Sequence, residues 1–305
     1  MERLGSWGIP FLDVNLTGIC SGDLIMFAAM SGSGKTTFAN TIAKTATEQD
    51  IPTSLFSLEN AKGDFLRQAV FTEYKSANPQ DKNNYRQFLT DFSRNPTKYE
   101  KYTTCLDELF GKLSGGDVPM FSLIESTDGV QDLKTLLREV EKYISIGKKL
   151  IIIDHIDHVS NDQTADLQFI RYAMKQLANL AFQKNVCIIT FSQIRKDLPA
   201  TCLIPGMYDL KGGSQKADVA TIVITLARDP FFDTEERKAT LMAIRKDRYG
   251  HLAMGRLFWC NGKYERYFKE IKDFDASGYV VDGLNKQQLL KASKQFEIGE
   301  YSEVD

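Results

Sequence analysis

The sequence predicts an α/β protein: a mainly parallel, twisted sheet with helices on both faces, built around a phosphate-binding loop. Three observations carry this expectation. Short aliphatic runs alternate with helical patterns along most of the chain, the signature of βαβ units. The runs are apolar throughout, with no polar alternation, as strands covered on both faces require. Between Leu24 and Phe38, an apolar run, a glycine-containing turn ending in Gly34-Lys35-Thr36 and a helical start follow one another without a break.

Bulk composition is consistent with this architecture and narrows the setting. The chain has 305 residues, 43% hydrophobic and 26% charged, which suits a folded α/β domain. A net charge of −2 gives no global attraction to nucleic acid, so polyanion binding must come from a local patch. Cysteines 20, 105, 187, 202 and 260 are scattered without a C-x-x-C pair. They read as reduced thiols, neither a disulfide framework nor a zinc site. No charged-then-apolar leader and no apolar run of spanning length is present, so a cytoplasmic protein without membrane contact is expected.

The candidate strands are 24–29, 53–57, 150–154, 186–191, 220–226 and 240–245, and the candidate helices are 36–48, 61–75, 131–146 and 166–184. In the last helix Leu167, Ile170, Met174, Leu177 and Leu180 recur at helical spacing. Residues 76–120 are polar and carry Asn-Pro and Gly-Gly pairs, so they read as helical decoration between core strands. Residues 1–270 are expected to form one domain, and 271–305 a C-terminal helix (285–296) with an acidic tail.

The phosphate loop comes first among the chemical features. Ala29 takes the place of the first glycine of the G-x-x-x-x-G-K-[ST] pattern, and Ala still permits a tight strand exit. Ser31, Gly32, Ser33, Gly34, Lys35, Thr36 and Thr37 are the expected nucleotide-binding residues. Backbone N–H groups of the turn point at phosphate oxygens, and the helix N-terminus adds partial positive charge. Lys35 reaches the β/γ-phosphates and the Thr36 hydroxyl ligates Mg²⁺. ATP and Mg²⁺ are therefore the expected cofactors.

Leu150-Ile151-Ile152-Ile153-Asp154 is an aliphatic strand ending in a carboxylate. Behind a phosphate loop, such an Asp orients Mg²⁺ opposite the Thr36 hydroxyl. His155, Asp157 and His158 follow at once, and imidazoles beyond a strand end are more often solvent or interface groups than metal ligands. Glu59 ends the neighbouring strand and points into the crevice where ligands sit. It is either the general base for the attacking water or a helix N-terminal acid. Gln193 ends strand 186–191, where its amide can report a γ-phosphate without adding charge.

The segment after Gln193 is long, glycine-containing and basic, with Arg195, Lys196, Lys211 and Lys216. It is either a surface loop or a polyanion-binding one. Ile244-Arg245-Lys246-Asp247-Arg248-Tyr249-Gly250 places three cations at a strand end, either a solvated edge or cations offered to a phosphate across a subunit boundary.

Taken in order, six stretches resemble the successive motifs of DnaB-type replicative helicases. They are the loop 29–37, Phe56-Ser57-Leu58-Glu59, Ile151-Ile152-Ile153-Asp154, Ser192-Gln193, Asp209-Leu210-Lys211-Gly212-Gly213-Ser214 with Ala217-Asp218, and Lys246-Asp247-Arg248-Tyr249-Gly250. The resemblance covers roughly residues 5–268 and implies a RecA-like P-loop NTPase core. It further implies Glu59 as catalytic base, Asp154 and Thr36 at Mg²⁺, and Gln193 as γ-phosphate sensor. Lys246 and Arg248 would be cationic fingers reaching the neighbouring subunit's site. DNA contacts would come from Arg195, Lys196, Lys211, Gly212, Gly213, Ser214 and Lys216. Two departures stand out. Met1 falls almost at the start of the motor core, so the family's N-terminal domain and linker helix are expected to be missing, as in a compact viral or plasmid helicase. Where the family often has an aromatic and a glutamine after the Asp, this chain has His155 and Asp157.

What this implies is an ATP-hydrolysing, hexameric helicase that moves on single-stranded DNA and unwinds duplex in replication. Homo-oligomerisation and contact with a primase or helicase loader are the expected partnerships. The alternative is a RecA-core ATPase acting as an ATP-switched binding module, or a ring that works on protein without unwinding.

Overall fold

The computed structural model describes residues 1–30, 32–113, 118–130, 132–159, 167–195, 204–210, 215–229, 238–260 and 263–268. Its centre is a nine-stranded sheet. In chain order the strands are β1 (Arg3–Gly5), β2 (Ile19–Cys20), β3 (Leu24–Ala29), β4 (Thr53–Ser57), β5 (Phe121–Glu125), β6 (Leu150–Asp154), β7 (Cys187–Gln193), β8 (Ile222–Arg228), β9 (Lys238–Asp247), β10 (Ala253–Cys260) and β11 (Lys263–Phe268). The helices are α1 (Pro10–Asn15), α2 (Lys35–Glu48), α3 (Lys62–Ala77), α4 (Tyr85–Arg94), α5 (Glu100–Phe110), α6 (Leu133–Ser145), α7 (Leu167–Lys184) and α8 (Gln215–Val219).

The large sheet runs β11-β10-β9-β8-β3-β7-β6-β4-β5. From β8 to β5 every pairing is parallel, whereas β9, β10 and β11 continue the sheet antiparallel. β1 and β2 pair separately. Side chains alternate across each strand, and β3 shows what that does. Ile25, Phe27 and Ala29 pack into one cluster with Phe38, Ala39, Ile42 and Ala46 of α2. Leu24, Met26 and Ala28 pack into the other, with Leu136 and Val140 of α6 and Met174 and Leu177 of α7. An all-apolar strand is thus the consequence of helices on both faces.

All six strands expected from sequence form, three of them running two residues further at the C-terminal end. β5 and the β10–β11 hairpin were not anticipated. β5 is an edge strand with two half-buried residues in its middle, Ser122 and Leu123, so it lacks the unbroken burial that marks the central strands. Residues 85–110 are largely helical, as expected. With α3 they build a separate aromatic cluster around Phe71, Tyr74, Phe88, Tyr99 and Tyr102. α4 begins in a capping box, Asn84 Oδ1 accepting from the Gln87 N–H at 3.0 Å and Gln87 Oε1 from the Asn84 N–H at 2.8 Å.

The expected tail 271–305 lies outside the described residues. Among the described residues, no helix is long and apolar enough to cross a membrane.

Candidate functional site

Parallel strands end together, and ligand sites of such sheets sit outside their carboxyl ends. Register aligns Ala29 with Gln193 and Ser57 with Asp154, so β3, β4, β6 and β7 deliver their last residues to one edge. Beyond Ala29 the chain turns sharply into α2. Gly32 and Gly34 carry φ of +79° and +85°, a left-handed conformation that a Cβ would strain by about 1–2 kcal/mol each. Gly34 is also the residue from which α2 starts. The first N–H groups of that helix have no partner within the helix. Lys35 stands there 8% exposed, and Ser33 is 4% exposed. Ser31 lies outside the described residues.

Thr36 Oγ1 donates to Asp154 Oδ2 at 2.9 Å and accepts from Asn60 Nδ2 at 3.3 Å. Asp154 is 1% exposed, and its other oxygen, Oδ1, has no partner, like Ser33 Oγ. Burial lifts the Asp154 carboxyl to about 6, the Thr36 hydrogen bond works against this, and the Glu59 charge adds to it. A buried carboxylate with one oxygen on a hydroxyl and the other without a donor is the chemistry of a hard-cation site. Thr36 and Asp154 therefore fit Mg²⁺. Alongside Gly32, Ser33, Gly34 and Thr37 opens a cavity of about 780 Å³ that Tyr85 and Arg228 also line. That size suits a small-molecule ligand.

Around Asp154 the expected site residues converge. Glu59 Oε2 lies 3.2 Å from His155 Nε2 and 3.9 Å from His158 Nε2. Gln193 Nε2 lies 3.2 Å from the same His155 nitrogen. Burial holds the His155 imidazole down at about 4, against the opposing pull of Asp157. Asn60 was not singled out from sequence, although its place beside Glu59 at the strand exit was the available signal.

One expectation needs correction. Lys216 is not on a loop facing DNA. It lies in α8, 1% exposed, and its Nζ donates to Asp157 Oδ1 and, at 3.1 Å, to Ser192 Oγ. Asp157 also accepts from the Gln193 N–H at 2.7 Å and the Ser192 hydroxyl at 3.0 Å. Burial by itself would raise the Asp157 carboxyl, but the Lys216 ammonium and the hydrogen bonds it accepts outweigh that, and the group sits below its ordinary value. Asp157, seen in the sequence only as part of a histidine-rich stretch, thus ties β7 and α8 to the segment after β6. Its signal was the fall of a carboxylate three positions beyond Asp154, where the chain is still buried.

Arg195, at the start of the basic segment, stays exposed. It donates to Asp209 Oδ1 at 3.1 Å and its N–H to the Asp209 carbonyl at 2.9 Å, so it is also engaged within the chain. Lys196, Lys211, Gly212, Gly213 and Ser214 lie outside the described residues.

Lys246 and Arg248 stand far from this edge. Val223 pairs with Lys246, and the Arg248 N–H donates to the Thr221 carbonyl at 3.0 Å. Thr221 in turn donates to the Leu24 carbonyl, so Arg248 is level with the first residue of β3. The phosphate loop follows the last. Six strand residues rise about 20 Å, beyond the reach of a folded-back side chain. Arg248 is exposed. Lys246 Nζ donates to the Ala217 and Asp218 carbonyls at 3.0 and 2.8 Å, and burial, with Arg248 beside it, lowers its pKa.

The chain is similar to the replicative DNA helicase DnaC of Bacillus subtilis (strain 168), at 25% identity over 280 residues, covering 89% of this chain and 58% of that protein. It is also similar to the replicative DNA helicase DnaB of Geobacillus stearothermophilus, at 24% identity, covering 88% and 57%. The chain thus spans less than two-thirds of the length of these curated relatives. Among solved structures, one described as an ATPase domain matches with a TM-score of 0.67 at 19% identity, over 86% of this chain and 91% of that one. A DnaB-like replicative helicase studied with primase matches with a TM-score of 0.66, also at 19% identity, over 85% and 62%. Both neighbours share the RecA-like fold described above. Residues 6–269 match the DnaB-like helicase C terminal domain, and the chain belongs to that family.

Proposed function

We propose that this chain is the motor of a ring-forming, ATP-hydrolysing DNA helicase, with each nucleotide held at a seam between two copies. One observation supports this above the rest. The groups suited to phosphate and Mg²⁺ stand at one edge of the sheet, whereas Lys246 and Arg248 stand at the opposite edge. A residue that cannot reach its own copy's phosphate loop can complete only a neighbour's.

On this reading the loop N–H groups and Lys35 hold the phosphates, and Thr36 and Asp154 hold Mg²⁺, which neutralises phosphate charge when bound. Glu59 takes the proton of the attacking water. Gln193 hydrogen-bonds the γ-phosphate and loses that partner on hydrolysis. Its backbone N–H and Ser192 share the Asp157 carboxylate with Lys216 of α8. A shift at the γ-phosphate therefore reaches the start of α8, immediately after the 211–214 segment expected at DNA. Phosphate contacts from several copies sum in a ring, so single-stranded DNA binding weakens steeply with salt despite the slightly acidic chain. A hexamer with a primase or loader as partner is the assembly this motor suits.

The test is ATP hydrolysis with and without single-stranded DNA, alongside strand separation of a forked duplex. DNA-stimulated hydrolysis with unwinding supports the proposal. Hydrolysis without unwinding at any protein concentration favours a ring or switch acting on other partners.

A further inference from the structure

We infer that Glu59, His155 and His158 form a binding site for a zinc-type transition-metal dication, distinct from the Thr36–Asp154 pair, and that its occupation halts hydrolysis. The binding half stands on geometry alone. The inhibitory half rests on the role proposed for Glu59.

One ligand atom from each of Glu59, His155 and His158 lies within 4.8 Å of the other two, and the two imidazole rings are 4.3 Å apart between centroids. A tetrahedral zinc ion with bonds of about 2.0–2.2 Å needs its ligand atoms roughly 3.3–3.5 Å apart. Glu59 and His155 already meet that spacing at 3.2 Å, and His158 is 3.9 Å from Glu59. Only His155 is fixed, its side chain 2% exposed. Glu59 and His158, 41% and 43% exposed, have room to close on it by rotation. Two imidazoles and one carboxylate, with a fourth position open to water, form a donor set that suits zinc. Imidazole nitrogens disfavour Mg²⁺, while the oxygen pair at Thr36 and Asp154 suits it. The two cations would sort themselves between the sites.

A second observation points the same way. Metal-bound histidines give their other ring N–H to a carboxylate, which turns the lone pair toward the metal. His155 Nδ1 is buried with no hydrogen-bond partner, and Asp157 Oδ2 lies 3.5 Å from it. Lys216, Ser192 and the Gln193 N–H hold that carboxylate in place. The orienting carboxylate of a carboxylate–histidine–metal arrangement is thus in place beside a buried ring nitrogen that has no other partner, and a closure of a few tenths of an ångström would complete it. His155 Nε2 also faces Gln193 Nε2 at 3.2 Å, a contact the ion would displace. A bound ion would therefore engage the Glu59 carboxylate and disturb the Gln193 amide together.

The experiment uses the full chain in excess Mg²⁺ and titrates Co²⁺ as the spectroscopic probe. The intense visible bands of a four- or five-coordinate cobalt site are expected, with Zn²⁺ abolishing them by displacement. Zn²⁺ should inhibit Mg²⁺-supported hydrolysis at concentrations near those that displace Co²⁺. His158→Gln should lose the bands and the inhibition, weakening binding by at least the roughly 10–100-fold that loss of a partner behind a ligand costs, with hydrolysis in Mg²⁺ retained. His158→Cys should restore binding with added sulfur-to-metal absorption. Weak octahedral bands in the natural chain, or Co²⁺ binding unchanged by His158→Gln, would overturn the site. A clear cobalt site in a chain that hydrolyses nothing in Mg²⁺ would uphold the site and remove the inhibitory role with the hydrolytic reading.

Discussion

Lys216 and Asp157, 59 positions apart, form a buried ion pair that joins the first turn of α8 to the segment following β6. Desolvating two charges costs about as much as their attraction returns, so such a pair adds little net stability. Removing one partner is another matter, because the other charge stays buried alone. Lys216→Met is expected to lower unfolding free energy by about 3–5 kcal/mol, read by urea denaturation. The double change Lys216→Met with Asp157→Leu should cost clearly less than either single change. A double change that costs the sum of the two single changes would show that the two side chains are not coupled.

Substitutions on the phosphate side should separate binding from hydrolysis. Lys35→Ala is expected to abolish nucleotide hydrolysis. Glu59→Gln should keep nucleotide binding while slowing turnover by about 10²–10⁴-fold, the usual contribution of a general base. Calorimetric binding and phosphate release measured on the same preparations make the distinction.

The raised Asp154 carboxyl gives a pH signature. Its ordinary value is 3.8, and burial lifts it to about 6, so above pH 6 it is ionised and below it carries a proton that Mg²⁺ must displace. Mg²⁺ affinity should therefore fall as pH drops through about 6, approaching tenfold per unit. In Asp154→Asn, affinity should be weak at every pH and lack this step. Mg²⁺ titrations of nucleotide-bound protein across that range decide the point. The same shift makes Asp154 a liability to the empty fold, since the unfolded chain ionises more easily. Stability without Mg²⁺ should decline as pH rises from about 4 to about 6.

Lys148 is fully buried and donates to the carbonyls of Thr53, Pro119 and Met120, pinning the starts of β4 and β5. Lys148→Met leaves these carbonyls short of a donor and should destabilise the chain by about 2–4 kcal/mol without altering nucleotide affinity. Denaturation and binding isotherms test the two halves separately.

How much of this was legible depends on what each residue's role requires. The phosphate loop was readable because left-handed φ at Gly32 and Gly34, a lysine and a hydroxyl must fall at fixed spacing along one local turn. The central strands were readable because burial on both faces leaves an unbroken apolar run. β5 was not, since an edge strand needs no such run. Lys216 was misassigned because a lysine in a basic, glycine-containing stretch looks solvated, and only the fold brings Asp157 to it. The clustering of Glu59, His155 and Gln193 likewise depended on the alignment of three strand ends, which no single motif encodes.

The central claim is that each nucleotide site takes its phosphate-binding half from one copy and its cationic half from the next. Lys35→Ala and Arg248→Ala should each be nearly inactive alone, the latter by on the order of 10³-fold although still able to bind nucleotide. Mixed together under assembling conditions, they should recover DNA-stimulated hydrolysis well above the sum of the two, because some seams join an intact loop to an intact arginine. No recovery on mixing, or full turnover by Arg248→Ala alone, would contradict the shared seam.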